Sequence, residues 1–137
     1  MDAETVWAGG CYCGAVRYEV RGPVSNATLC HCESCRSIAG APCVAWITVP
    51  LAGFRYTQGT PQRFASSPCV TRCFCARCGA HLTYESDAGA GFTDITTCSL
   101  DDPEALPPGD HTWVEDQLSW LQLADHLPRH QRTRPRG

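Results

Sequence analysis

Gly9-Gly10-Cys11-Tyr12-Cys13-Gly14-Ala15-Val16-Arg17-Tyr18-Glu19-Val20-Arg21 is the stretch that sets the fold. Its first half is a turn with two cysteines. Glycines on both sides let the backbone bend sharply, so a Cys-x-Cys pair can aim both sulfurs inward. Its second half alternates, with Val16, Tyr18 and Val20 set against Arg17, Glu19 and Arg21. That period of two predicts a half-buried strand over residues 15–21, ended by Gly22-Pro23.

Working outward, the same signature recurs in short runs. Residues 29–32 read as a strand entering a turn, and residues 34–39 as one helical turn capped by Ser34. Residues 43–49 are apolar and β-branched and predict a central strand. Residues 54–56 and 63–65 are short strands separated by Gly59-Thr60-Pro61. Strands are also expected over 70–74, 81–86, 92–99 and 111–114, with an irregular helix near 100–106. From Arg129 onward the chain is arginine-rich and lacks an apolar pattern, which predicts a frayed basic tail over 129–137. The expectation is therefore a mainly β single domain of folded antiparallel sheets over residues 1–128.

The bulk composition fits one such domain. The chain has 137 residues, 43% of them hydrophobic and 18% charged, with a net charge of -3. That charge gives no field to attract nucleic acid or an acidic membrane. No run approaches the ~20 apolar residues a membrane span needs. The start, Met-Asp-Ala-Glu-Thr-Val-Trp, has neither the basic end nor the apolar core of a secretory signal. These features predict a cytoplasmic protein, where cysteines stay reduced and a cysteine cluster points to metal or catalysis before disulfides.

Eleven cysteines are present, seven of them in three motifs. Cys75-Ala76-Arg77-Cys78-Gly79 is a zinc-knuckle pattern, half of a tetrahedron. Cys11-Tyr12-Cys13-Gly14 is another half. Joined, Cys11, Cys13, Cys75 and Cys78 make one structural Cys₄ zinc site, worth about 10–16 kcal/mol to folding. The third motif, Cys30-His31-Cys32-Glu33-Ser34-Cys35, then stands alone. Three thiolates hold a tetrahedral ion with one place left, the arrangement of exchangeable rather than closed sites. Cys43, Cys69, Cys73 and Cys98 are single cysteines at strand-like positions and read as packing residues. His31 alternates with the cysteines and so points away from them on an extended segment. A zinc ion bound to three thiolates is a weak Lewis acid for water but takes a further thiol well, which favours sulfur chemistry. The alternatives are a scaffold in which both zincs are structural, and a redox or metal-store role in which Cys30 or Cys32 pairs with Cys35.

Gly-Gly-Cys-x-Cys-Gly-Ala-Val-Arg-Tyr, Cys-His-Cys-x-x-Cys-Arg and Arg-x-Phe-Cys-x-x-Cys-Gly, in this order, resemble the glutathione-dependent formaldehyde-activating (GFA) family, which also includes centromere protein V. The resemblance runs from about Gly9 to about Leu127. It implies a β-rich zinc domain, a structural zinc on Cys11, Cys13, Cys75 and Cys78, and a catalytic zinc on Cys30, Cys32 and Cys35. It also implies a carbon–sulfur lyase activity, the condensation of glutathione with formaldehyde, with small thiols as partners. Glutathione carries two carboxylates, and arginine pairs carboxylates in a bidentate fork. Arg36, beside the metal motif, is the first choice for that role; Arg17, Arg55 and Arg72 are the others.

Overall fold

The computed structural model describes residues 5–135. Its elements in chain order are β1 (Val6–Gly10), β2 (Arg17–Arg21), β3 (Ser25–Cys30), α1 (Glu33–Ala39), β4 (Val44–Pro50), β5 (Phe54–Gln58), β6 (Gln62–Ser67), β7 (Val70–Phe74), β8 (His81–Ser86), β9 (Phe92–Thr96) and β10 (Asp110–Thr112). Short 3₁₀ turns fill several of the connections. The strands form two sheets. One has the order β1-β2-β5, the other β10-β3-β4-β9-β8-β7-β6.

The alternation that predicted β2 is the alternation that builds the core. Val16, Tyr18 and Val20 are buried, and they pack with Phe54 and Tyr56 against Ile47, Val49, Leu82 and Ile95 of the larger sheet. Each such apolar side chain contributes roughly 1.5–3 kcal/mol on burial. The small sheet is thereby fixed across one face of the large one.

β4 has both faces covered. Ile47 and Val49 enter the core between the sheets, whereas Val44 and Trp46 turn to the opposite face and pack with Cys30 and Cys35. Strand periodicity requires this split, and it gives the large sheet a second, more polar face. That face carries the site.

Three expectations are corrected. First, the large sheet is mixed: β10 runs parallel to β3, with Thr112 opposite Cys30. A parallel partner needs a long crossover, and residues 97–109 supply it. Second, the cap of α1 is Cys32, whose sulfur accepts from the Cys35 N–H, and the helix begins before Ser34. Third, residues 129–135 are not frayed. Asp110, His111 and Thr112 of β10 are all buried, so their backbone groups need partners. The final segment provides them: the His111 N–H donates to the Pro128 carbonyl at 2.8 Å and the His130 N–H to the His111 carbonyl at 2.9 Å. Arg134 clamps the Asp110 carboxylate with two bonds of 2.9 and 2.8 Å. Arg136 and Gly137, the end of the expected tail, lie outside the described residues, as do residues 1–4.

Candidate active site

The four-cysteine motif closes as a unit. Cys11 and Cys13 sit in the turn between β1 and β2, Cys75 and Cys78 in the turn between β7 and β8. Their four sulfurs lie within 4.8 Å of one another. The two turns are built alike. In each, the glycine after the second cysteine donates its N–H to the carbonyl of the first: Gly14 to Cys11 at 3.2 Å, and Gly79 to Cys75 at 2.7 Å. Both glycines hold left-handed backbone, φ +82° and +80°, which costs glycine little and other residues more. Backbone N–H groups also aim at sulfur, from Val16 to Cys11 at 3.2 Å and from Cys78 to Cys75 at 3.4 Å. Such donors favour thiolate over thiol. The Ala80 N–H contributes in the same sense at Cys78, whose thiol is lowered to about 6. Four converging soft donors with amides directed at the sulfurs fit a tetrahedral zinc.

Cys30, Cys32 and Cys35 also bring their sulfurs within 4.8 Å of one another, and among the described residues no fourth histidine, cysteine or acid joins them. Cys30 ends β3, Cys32 caps α1 and Cys35 is in its first turn. The Cys35 thiol donates to the Cys30 sulfur at 3.3 Å, and the Cys35 N–H to the Cys32 sulfur at 3.3 Å. Hydrogen bonds from Cys30 and Cys35 hold Cys32 down to about 2. The bond with Cys32 pushes Cys30 up to about 11, and the bond with Cys30 raises Cys35. Converging sulfurs that share hydrogen bonds in this way favour thiolate at the cluster, the form that ligates a metal.

A cavity of about 1110 Å³ opens from this cluster along the second face of the large sheet. Trp46, Tyr84, Trp113, Asp94 and Arg72 line it together with the three cysteines. Trp46 meets Tyr84 edge-on at 6.0 Å between ring centroids. Trp113 adopts φ +56°, an outlying conformation for a bulky side chain. The C-terminal segment fixes it: the Trp113 N–H donates to the Arg132 carbonyl at 2.9 Å, and the Arg132 guanidinium lies 5.8 Å over its ring. Asp94 accepts from the Thr48 hydroxyl at 2.6 Å, and burial raises its pKa. Tyr84 is raised by burial too, so its phenol stays protonated near neutral pH.

His31 takes the other direction. It is fully buried, and its Nε2 meets His111 Nδ1 at 2.9 Å, while His111 Nε2 meets Asp125 at 2.9 Å. An ionised Asp125 accepts from His111 Nε2–H, which makes His111 Nδ1 the acceptor for His31 Nε2–H. The imidazole is held on the β10 side, and His31 is not in the cavity wall.

The arginines separate clearly. Arg17 is paired with Asp101 and Arg55 with Glu19. Arg36, the first choice for a carboxylate, donates its Nε–H to the His31 carbonyl at 3.2 Å and does not line the cavity. Arg72 does line it. Sequence proximity to Cys35 put Arg36 first among these four, but the strand order sets their neighbours. Trp46 and Tyr84 were likewise hidden as site residues. For Trp46 the available signal was its alternation with Ile47; Tyr84 is two residues from Leu82 yet packs on the opposite face, so strand periodicity does not reveal it.

Fold and site together define a class, a mainly β domain with one four-cysteine and one three-cysteine cluster. The chain belongs to the glutathione-dependent formaldehyde-activating enzyme family, whose model matches residues 6–116. An uncharacterized lyase of Schizosaccharomyces pombe is 28% identical over 85 residues, covering 57% of this chain and 56% of that relative. The chain thus spans about half the length of that curated relative. A Rhodobacter sphaeroides protein of known crystal structure is similar in fold, with a TM-score of 0.59 at 22% identity over 69% of this chain and 87% of that one. No helix among the described residues is long and apolar enough to cross a membrane.

Proposed function

We infer that the protein is a zinc-dependent enzyme of the carbon–sulfur lyase type acting on a small thiol adduct, such as S-(hydroxymethyl)glutathione formed from glutathione and formaldehyde. The observation that carries this reading is the three-cysteine cluster in the wall of a cavity, with only three protein ligands in reach among the described residues. Cys30, Cys32 and Cys35 would hold the reactive zinc, and Cys11, Cys13, Cys75 and Cys78 a structural one. Zinc held by three thiolates binds a further thiol and keeps it as thiolate near neutral pH.

The chain's own residues supply the rest. Trp46, Tyr84 and Trp113 wall the cavity and limit water around the reacting sulfur. As the carbon–sulfur bond forms, the carbonyl oxygen gains the proton that the thiol gives up. A neutral Tyr84 phenol in that wall suits it to hydrogen-bond the oxygen. In the reverse direction the same groups would release thiol and carbonyl.

Exchange spectroscopy of glutathione with formaldehyde, with and without protein, tests the reading. Acceleration of adduct exchange is expected. None with any thiol tried would leave a zinc-stabilised binding module of the centromere protein V type. Cys32→Ser should abolish the acceleration with the fold intact and one zinc retained. Cys78→Ser should prevent folding. Equal loss of folding in both variants would remove the distinction between the clusters.

A further inference from the structure

Arg72 is a buried cation with no counter-ion among the described residues. Its side chain comes from β7 and lines the cavity, with only 7% of the residue exposed. Its Nε–H donates to the Ser66 hydroxyl at 3.3 Å, and its guanidinium lies 4.8 Å from the centroid of the Tyr84 ring. Its Nη1 is buried and meets no acceptor. Among the described residues, no carboxylate is within ion-pairing distance of it. The acid on its face of the sheet, Asp94, is engaged by Thr48 instead. A charge removed from water with one donor unused is unfavourable unless something pairs with it. The ring of Tyr84 offsets part of this through cation–π attraction. It cannot accept the Nη1 hydrogen bonds in the plane of the fork.

We propose that Arg72 is an anion subsite of the cavity, binding a carboxylate on an extended organic thiol whose sulfur sits at Cys30, Cys32 and Cys35. This rests on the reading of that cluster as a thiol site. The geometry selects an extended ligand. Tyr84 packs against the cluster containing Cys30, Cys35 and Trp46, and Arg72 stacks on Tyr84. Arg72 and the three cysteines line one cavity, and Tyr84 touches both the cysteine-containing cluster and the guanidinium, so a ligand seated on the sulfurs and on Arg72 reaches past the Tyr84 side chain. A peptide-sized thiol carries its sulfur and a carboxylate far enough apart to do so. The fork geometry favours a planar carboxylate that takes two parallel N–H bonds.

The test is binding by the zinc-loaded full chain, followed by calorimetry. The probes are S-methylglutathione, whose sulfur is blocked, and its dicarboxylate diester. Wild-type protein should bind the acid about tenfold to hundredfold more tightly than the diester. Arg72→Gln should lose that preference, and Arg72→Lys should keep part of it. Equal binding of acid and diester by wild-type protein, no saturable binding of the acid, or an unchanged preference in Arg72→Gln would each overturn the proposal. The comparison of probes on wild-type protein needs no variant to fold. Because the probe cannot react, its binding is measured apart from any catalysis. Loss of exchange activity with the carboxylate preference intact would sink the enzyme reading and leave the subsite standing.

Discussion

Replacing Gly79 by alanine should loosen one zinc ion by a calculable amount. Gly79 has φ +80°, and a Cβ built on it would meet nothing within 4 Å. Steric collision is therefore excluded, and the cost is that of a left-handed backbone for an L-residue, about 1–2 kcal/mol. The turn it closes, through the 2.7 Å bond from the Gly79 N–H to the Cys75 carbonyl, sets Cys78 beside Cys75. The penalty should thus appear in the zinc affinity of the four-cysteine site, as a loss of about 5–30-fold. Gly79→Asn should lose less, because asparagine tolerates this conformation. Gly40→Ala is the control. Gly40 also has positive φ, +60°, with open space around it, but it ends α1 and touches neither knuckle. It should lower stability by a similar amount and leave release of the knuckle zinc unchanged. The assay, on zinc-loaded protein, is competition with a chromophoric chelator, which separates metal release at the two clusters by rate and affinity, beside thermal unfolding of each variant. If Gly79→Ala gives up zinc no more readily than Gly40→Ala, the turn does not preorganise the site and the reasoning fails.

Two further outcomes follow from buried charge. His81 is lowered to about 4, first by burial and then by the Arg72 charge. The unfolded chain takes up this proton near the ordinary value of about 6.5 and the folded chain only near 4, so stability present at neutral pH is lost as pH falls through that window. The loss is at most about 3 kcal/mol. His81→Phe should remove it, so urea-unfolding curves of the two proteins should diverge between pH 7 and pH 4; parallel curves would contradict the assignment. A chain ended at Pro128 removes Arg134 from Asp110, whose side chain is only 10% exposed, and removes the His130 N–H that pairs with the His111 carbonyl and the Arg132 and His130 carbonyls that accept from Trp113 and Val114. A loss of about 2–4 kcal/mol is expected in denaturant melts, against almost none if the segment were loose.

Parts of this structure are legible in the sequence for definite reasons. Metal ligands must converge whatever the fold, so the spacing of Cys75 and Cys78 with Gly79, and its echo at Cys11 and Cys13, identified a joint site without knowledge of the strands between. Val16, Tyr18 and Val20 announced their face because one side of β2 meets the core and the other meets water. The C-terminal segment gave no such signal. Its attachment is made largely by the backbone of Pro128, His130 and Arg132, joined by the Arg134–Asp110 and Arg132–Glu115 pairs, and backbone hydrogen bonds leave no side-chain pattern. Arg72 and Arg36 show the same limit from the other side. Proximity in sequence to Cys35 favoured Arg36, but adjacency on β6, β7 and β8 placed Arg72 in the cavity between Ser66 and Tyr84.

Topology also explains why two clusters of the same element and the same ligand atom should behave differently. The four-cysteine cluster joins the β1–β2 turn of one sheet to the β7–β8 turn of the other, and Cys13 and Cys75 are 62 residues apart. The three-cysteine cluster closes only the step from β3 into α1, with Cys30 and Cys35 five apart. Loop-closure entropy grows as three-halves RT times the logarithm of loop length, so the long closure removes about 2 kcal/mol more freedom from the unfolded chain than the short one. It also ties two sheets that otherwise meet through apolar contact and through residues 99–101, where Ser99 bonds Tyr18 and Asp101 bonds Ala8 and Arg17. Metal at the first cluster is therefore coupled to global folding. Metal at the second is coupled to one helical turn, already formed by the Cys32 cap, and its ligand shell can change without moving either sheet. A site that must exchange ligands during turnover is better placed where exchange disturbs so little of the fold.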